Sequence, residues 1–141
     1  MFILDTDHFA ILQAKTQPEF DRLSPRIASH PPTAFYLTIV TFHEEVLGWN
    51  TYISRAHDQS GVTRGYRRLQ RIITDFAAAQ LLPFDLSAAA RFDLLRAQRV
   101  RVPTMDLRIA SIALQRDMTV LTRNVADFRG VPGLRVADWT L

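Results

Sequence analysis

The chain has no cysteine among its 141 residues. That excludes a disulfide framework and any thiolate metal site, and it fits a reducing compartment. Lysine is almost absent too: Lys15 is the only one, although the basic residues number 17. Positive charge is therefore carried by arginine, whose planar fork of donors suits phosphate oxygens, whereas lysine acts as a compact point charge. A phosphate-rich partner fits this bias, and so does the codon usage of a GC-rich genome. There is no internal repeat, no low-complexity tract and no apolar run long enough to span a membrane. The one early apolar run is too short for a signal peptide and carries acids where a signal would carry positive charge. The expectation is a cytoplasmic protein without a membrane partner. Its length suits one domain, residues 1–141, large enough to bury most of its apolar surface without staples.

What is present starts with Phe2-Ile3-Leu4-Asp5-Thr6-Asp7. Three apolar residues followed by two carboxylates read as a buried strand, residues 2 to 6, that delivers acid to its own carboxyl end. In open α/β sheets that edge is where ligands bind. An unpaired carboxylate is costly to bury, so Asp5 should have a cation, a donor or water beside it. Asp7 fits the start of the following helix, and an Asp-Thr-Asp run is also ordinary helix-capping chemistry.

Helical stretches at 7 to 16 and from Pro18 to about His30 come next, ended by Pro31-Pro32. Ala34 to Val40 is β-branched and aromatic, a second strand. Thr41 is placed to cap a helix of about fifteen residues. Asp58 to Gly61 reads as a turn, Val62 to Gln80 as a basic helix, and Leu81 to Phe84 as a short strand, irregular at Pro83. Helices from Ser87 to about Arg101 and from Met105 to about Arg116 precede a fourth strand, Thr119 to Thr122. A loop with Gly130, Pro132 and Gly133 leads to a last strand at Leu134 to Val136. Strands separated by helices imply a parallel sheet covered on both faces.

Two further places carry acid where a core element would not need it. Thr41 and Glu44 have capping-box spacing. Phe42, Val46, Trp49 and Ile53 form an apolar stripe at helical spacing, suited to core or to a dimer contact. Glu44 lies on a different face, one turn before Gly48, whose missing side chain leaves room for a backbone or ligand. Glu44 and Glu45 point about 100° apart, and periodicity does not choose between them. Asp106 falls in the first turn of its helix, where the dipole favours negative charge. It shares a face with Ala110 and Ala113, small residues that let the helix approach the sheet and aim the acid at the strand ends. After strand four, Thr122-Arg123-Asn124-Val125-Ala126-Asp127-Phe128 emerges at the same edge. Asn124 can offer an amide oxygen and Asp127 a carboxylate, and either also suits turn chemistry.

These positions together resemble the PIN-domain ribonucleases, and more closely the VapC-type toxins of toxin–antitoxin modules. The residues that carry the likeness are ILDTD at 3 to 7, TFHEEVLGW at 41 to 49, LPFD at 82 to 85, MDLRIASIAL at 105 to 114 and LTRNVADFRGVPGLRVADW at 121 to 139. Residues 50 to 80 match only loosely. The resemblance implies a three-layer α/β/α fold with a mainly parallel central sheet. The family pattern of threonine, glutamate and glycine falls on Thr41, Glu44 and Gly48, so Glu44 becomes the site acid. Carried across in this way, the acidic centre is Asp5, Glu44 and Asp106, with Asn124 and Asp127 beside it. Asn124 stands where many relatives have a fourth acid, leaving one metal ion or two open.

Converging carboxylates repel one another, and Mg²⁺ or Mn²⁺, hard cations that prefer oxygen, relieve that. The chemistry expected is hydrolysis of an RNA phosphodiester by metal-activated water. Arg64, Arg67, Arg68 and Arg71 make a basic helical ridge suited to RNA or to an acidic partner protein. The four histidines lack metal-ligand spacing. The resemblance also implies an antitoxin partner and a second copy of the chain. Two rivals exist. A haloacid-dehalogenase-type phosphotransferase also has Asp-x-Asp after its first strand, but it wants threonine at Phe9 and a lysine beyond Lys15. A non-catalytic PIN-like module would bind RNA or protein without cutting, and the retained acids count against it.

Overall fold

Parallel pairing of every strand is the organising feature of the structure, a computed structural model that describes all residues 1–141. The strands are β1 (Phe2–Leu4), β2 (Phe35–Thr38), β3 (Leu81–Leu82), β4 (Thr119–Leu121) and β5 (Arg135–Ala137). They lie in the order β3-β2-β1-β4-β5, and all four pairings are parallel. The helices are α1 (Thr6–Ala14), α2 (Glu19–Ala28), α3 (Ile39–Ser54), α4 (Gln59–Ala77), α5 (Leu86–Ala97), α6 (Thr104–Gln115) and the short α7 (Val125–Phe128).

The pleat of the strands divides the core in two. Ile3 and Val120, paired across β1 and β4, face the layer of α5 and α6 and pack with Ala88, Leu95, Leu107, Ile109 and Ala113. Their neighbours Leu4, Leu37 and Leu121 point the other way, onto Ile72 and Phe76 of α4. Phe9 and Leu12 of α1 and Phe42, Val46 and Trp49 of α3 complete that layer. The expected three-layer α/β/α arrangement is what forms. The apolar stripe of α3 is core rather than free surface, with Ile53 turned toward α4.

Several element ends differ from expectation, each through a cap. Strand one stops at Leu4 because Asp5 is the N-cap of α1, its Oδ1 accepting from the Thr6 amide at 2.8 Å. Asp7 sits in the first turn. Ile39 and Val40, β-branched and expected in strand two, are helical because the Thr38 hydroxyl accepts from the Thr41 amide at 3.1 Å and starts α3 early. Thr41 is thus not a cap, and its capping box with Glu44 does not form. Asp58 caps α4 through the Gly61 amide at 2.9 Å, so the expected turn there is the first turn of the helix. The third strand has two residues rather than four, and α5 ends at Ala97, followed by Arg99 at φ 58°.

Gly65 is the point of closest helix approach: a Cβ there would clash with Ile53 Cγ1. No backbone comes up to Gly48, where a Cβ would meet nothing within 4 Å. The room left by Gly48 is open.

The strand order decides where a site can be. The chain runs outward from β1 through β2 to β3, then crosses to β4 and β5 on the far side of β1. Beyond the carboxyl ends of β1 and β4 lies the switch point of the sheet, the place where open α/β sheets bind their ligands.

Candidate active site

Asp5 follows β1 directly and Thr122 follows β4, and the Leu4–Leu121 register brings the two side by side. Asp5 is 5% exposed, and Thr122 is fully buried. The Thr122 hydroxyl donates to Asp5 Oδ2 at 2.8 Å, and the same oxygen lies 3.2 Å from Asp7 Oδ2. Burial raises the Asp5 pKa above the ordinary 3.8; its bond from Thr122 opposes this and repulsion from Asp7 adds to it. Asp7 goes the other way. Burial would raise it too, but the hydrogen bond with His8 and that from the Arg123 amide, at 2.9 Å, hold it below its usual value.

His8 is fully buried and belongs to this scaffold. The Trp139 amide donates to its Nε2 at 3.2 Å, which leaves Nδ1 to donate to Asp7 Oδ1 at 2.8 Å. The strand-end acids are thereby tied to the segment after β5. Neither Thr122 nor His8 was singled out from sequence for this role. The signal available was the register of β1 against β4, which pairing alone supplies.

Glu44 projects from the second turn of α3 and faces Asp5 and Asp106. Burial, then repulsion by Asp5, Asp106 and Glu45, raises its pKa to about 7. Its Oε1 is buried without a hydrogen-bond partner, an exception among buried polar atoms that it shares in this chain only with Thr6 Oγ1. Asp106 stands in the first turn of α6, above the fully buried Ala110 and Ala113. Burial, then repulsion by Asp5, Asp127 and Asp7, raises it to about 6.

The structure thus brings Asp5, Glu44 and Asp106 within mutual electrostatic reach, with Asp127, exposed on α7, next to Asp106. Asn124 is exposed; its backbone amide donates to Thr122 at 3.0 Å, while its side chain caps nothing. Glu45 faces elsewhere. It lines a cleft of about 190 Å³ with Trp49, Arg68, Arg71 and Asp75, and burial followed by repulsion from Asp75 raises it to about 6. Arg64, Arg67, Arg68 and Arg71 are all exposed on α4. Arg68 lies over the Trp49 ring at 5.6 Å and Arg71 is 3.7 Å from Asp75.

No three Asp, Glu or His side chains are already gathered in an ion-holding arrangement. What the fold assembles is mutually repelling carboxylates, all hard oxygen donors, and one buried carboxylate oxygen without a donor. A hard divalent cation matches that donor set and that orphan oxygen.

No family model matches the chain. A curated relative, the tRNA(fMet)-specific endonuclease VapC of Salmonella typhimurium, is 34% identical over 64 residues; the match spans 43% of this chain and about half, 48%, of that protein. The structure of DNA-bound VapBC from Salmonella typhimurium superposes with a TM-score of 0.74 at 25% identity, covering 98% of this chain and 97% of that one. FitAB bound to an IR36 DNA fragment gives 0.73 at 25% identity, covering 100% and 96%. The chain thus shares the fold of these solved structures from end to end, and over 64 residues its sequence is similar to that of VapC.

Proposed function

We propose that this chain is a metal-dependent endoribonuclease acting as the toxin of a toxin–antitoxin pair. The observation that carries the reading is the buried, unpartnered Oε1 of Glu44 set against Asp5 and Asp106 at the switch point of a parallel sheet. A merely structural glutamate would have its buried oxygen satisfied. The name of the curated relative, an endonuclease specific for a tRNA, supports the choice of RNA.

Asp5, Glu44 and Asp106 would hold Mg²⁺ or Mn²⁺. When bound, the ion would neutralise the carboxylates, lower the pKa of a water and stabilise charge on a phosphoryl oxygen. The chain's own part is orientation and proton handling. The Thr6 amide and the Thr122 hydroxyl fix the two oxygens of Asp5. Asp7, held ionised by His8 and the Arg123 amide, keeps Thr122 in place. Glu44 titrates near neutrality without a cation and can hold or release a proton at Oε1. Asp127 and Asn124 stand at the mouth, where they can meet substrate or water.

The partners we propose are an antitoxin and a second copy of the chain. A solved structure with a similar fold, VapBC-5 from Mycobacterium tuberculosis, is described as a member of the VapBC family of toxin-antitoxin systems, which supports the first. The decisive experiment incubates purified protein with total RNA in Mg²⁺, in Mn²⁺ or in chelator, and maps the ends produced. Cleavage that requires the cation and disappears in Asp5→Asn, with fold and RNA binding intact, supports the enzyme. Cleavage indifferent to chelator overturns the mechanism, and an Asp5→Asn protein that behaves as the parent leaves only the non-catalytic module.

A further inference from the structure

We infer that the RNA strand leaves the acidic site along the exposed face of α3 and is held at the α3–α4 corner by Arg55 and Arg64, with Tyr52 as a stacking surface. This rests on the ribonuclease reading and adds the path and form of the substrate.

The path begins with periodicity. Glu44, Gly48, Thr51 and Arg55 recur at steps of four, three and four, so they form one stripe on α3, on the side away from Phe42, Val46 and Trp49. At 1.5 Å per residue the stripe is roughly 16 Å long, the span of a few nucleotides. It has an acid at one end and a cation at the other. Between them, Gly48 offers backbone without a side chain, and no part of the chain covers it.

The far end of the stripe opens into a concavity of about 640 Å³, lined by Gly48, Thr51, Tyr52, Arg55, His57 and Arg64 among others. Most of the lining residues carry a polar group, among them Thr51, His57 and Ser60. Neither Arg55 nor Arg64 has an ion-pair partner in the chain, unlike Arg71, Arg116, Arg123 and Arg135. One carboxylate, Asp58, also lines the corner, and its Oδ1 accepts from the Gly61 amide. Unpaired guanidinium groups beside a polar hollow fit phosphate oxygens. Tyr52 is 36% exposed and its ring meets Trp49 edge-on, leaving a surface on which an unpaired base can stack. A single strand, whose bases can splay out, uses both features.

The test uses the full chain carrying Asp5→Asn, so that RNA is bound without being cut, and a fluorescein-labelled single-stranded RNA followed by anisotropy across a salt series. Arg55→Ala and Arg64→Ala should each flatten the slope of log K against log salt by about 0.7. Arg116→Ala, at the opposite end of α6 from Asp106, controls for loss of charge and should leave the slope unchanged. Tyr52→Ala should weaken binding at least about fivefold, and Tyr52→Phe should restore it. Gly48→Leu should weaken binding while the melting temperature does not fall. In the parent background these changes should raise KM and spare kcat. Unchanged slopes for both arginine variants overturn the inference. So does a change in elution volume on gel filtration without a change in RNA affinity, which would make the corner a contact between copies. Failure of the parent to cut RNA with Mg²⁺ present instead overturns the ribonuclease reading, and the salt slopes separate the two failures.

Discussion

The hydroxyl of Thr122 donates to Asp5 Oδ2 at 2.8 Å, joining the carboxyl ends of β1 and β4 where the strand order reverses. This bond spans 117 positions of sequence and connects the deepest carboxylate of the site to the neighbouring strand. Without it, Asp5 would keep one oxygen on the Thr6 amide and leave the other buried and unmet.

Thr122→Val keeps the shape and deletes the donor. It should cost about 1–3 kcal/mol of stability, since the buried Asp5 Oδ2 loses its donor. Cleavage and divalent-cation affinity should fall by roughly 10–100-fold, as for other groups that orient ligating side chains. Urea unfolding and cation titration measure the two effects; full activity in Thr122→Val would show that Asp5 needs no such support.

Glu44→Gln and Glu45→Gln separate two adjacent acids that point to different places. Glu44 faces Asp5 and Asp106, whereas Glu45 faces Asp75. RNA cleavage should be abolished by the first substitution and survive the second. The reverse result in a gel assay would move the site to the cleft beside Trp49.

Glu44 and Asp106 also give the cation-free protein a pH dependence of defined sign. Burial and neighbouring carboxylates raise Glu44 from 4.5 to about 7 and Asp106 from 3.8 to about 6. The folded state therefore binds more protons than the unfolded state across that interval. Their stabilising contribution is complete below the unfolded values and is lost as pH rises through about 6 and then about 7. Asp7, held below 3.8, acts oppositely and only in acid, where its contribution is lost as pH falls. In chelator, Tm should decline between about pH 5 and pH 8, and added Mg²⁺ should restore more at the upper end, where it meets ionised carboxylates. A Tm that climbs over this range without cation would contradict the assignment.

Gly65→Ala and Gly48→Ala should have opposite effects on stability. A methyl at 65 clashes with Ile53 Cγ1, which should cost about 1–3 kcal/mol by overpacking. A methyl at 48 meets nothing within 4 Å, and exchanging glycine for alanine inside a helix should add up to about 1 kcal/mol. Denaturant midpoints of the two variants decide this; equal destabilisation would mean that α3 is covered at Gly48 in solution.

The parallel α/β class was legible because apolar strand runs alternate with helical patterns, and the runs at β1, β3 and β5 are ended by Asp5, Pro83 and Asp138. The cap of α3 was not. Thr38 and Thr41 are both threonines beside β-branched residues, and local propensity favours strand through Val40. The choice fell to the buried hydrogen bond from the Thr41 amide, which only the packed helix makes. The same shift removed the capping explanation for Glu44.

By itself, then, the sequence determined the residue types: oxygen donors without thiolates, acids after the first strand and at two helix starts, and arginine in place of lysine. These follow from composition and short-range periodicity. Tertiary structure decided which acids face each other. It turned Glu44 rather than Glu45 to Asp5, seated Thr122 and His8 around the strand ends, and left Gly48 open while closing α3 on α4 at Gly65. Strand order and register set those relations, and both depend on contacts between segments far apart in the chain, which no local pattern encodes.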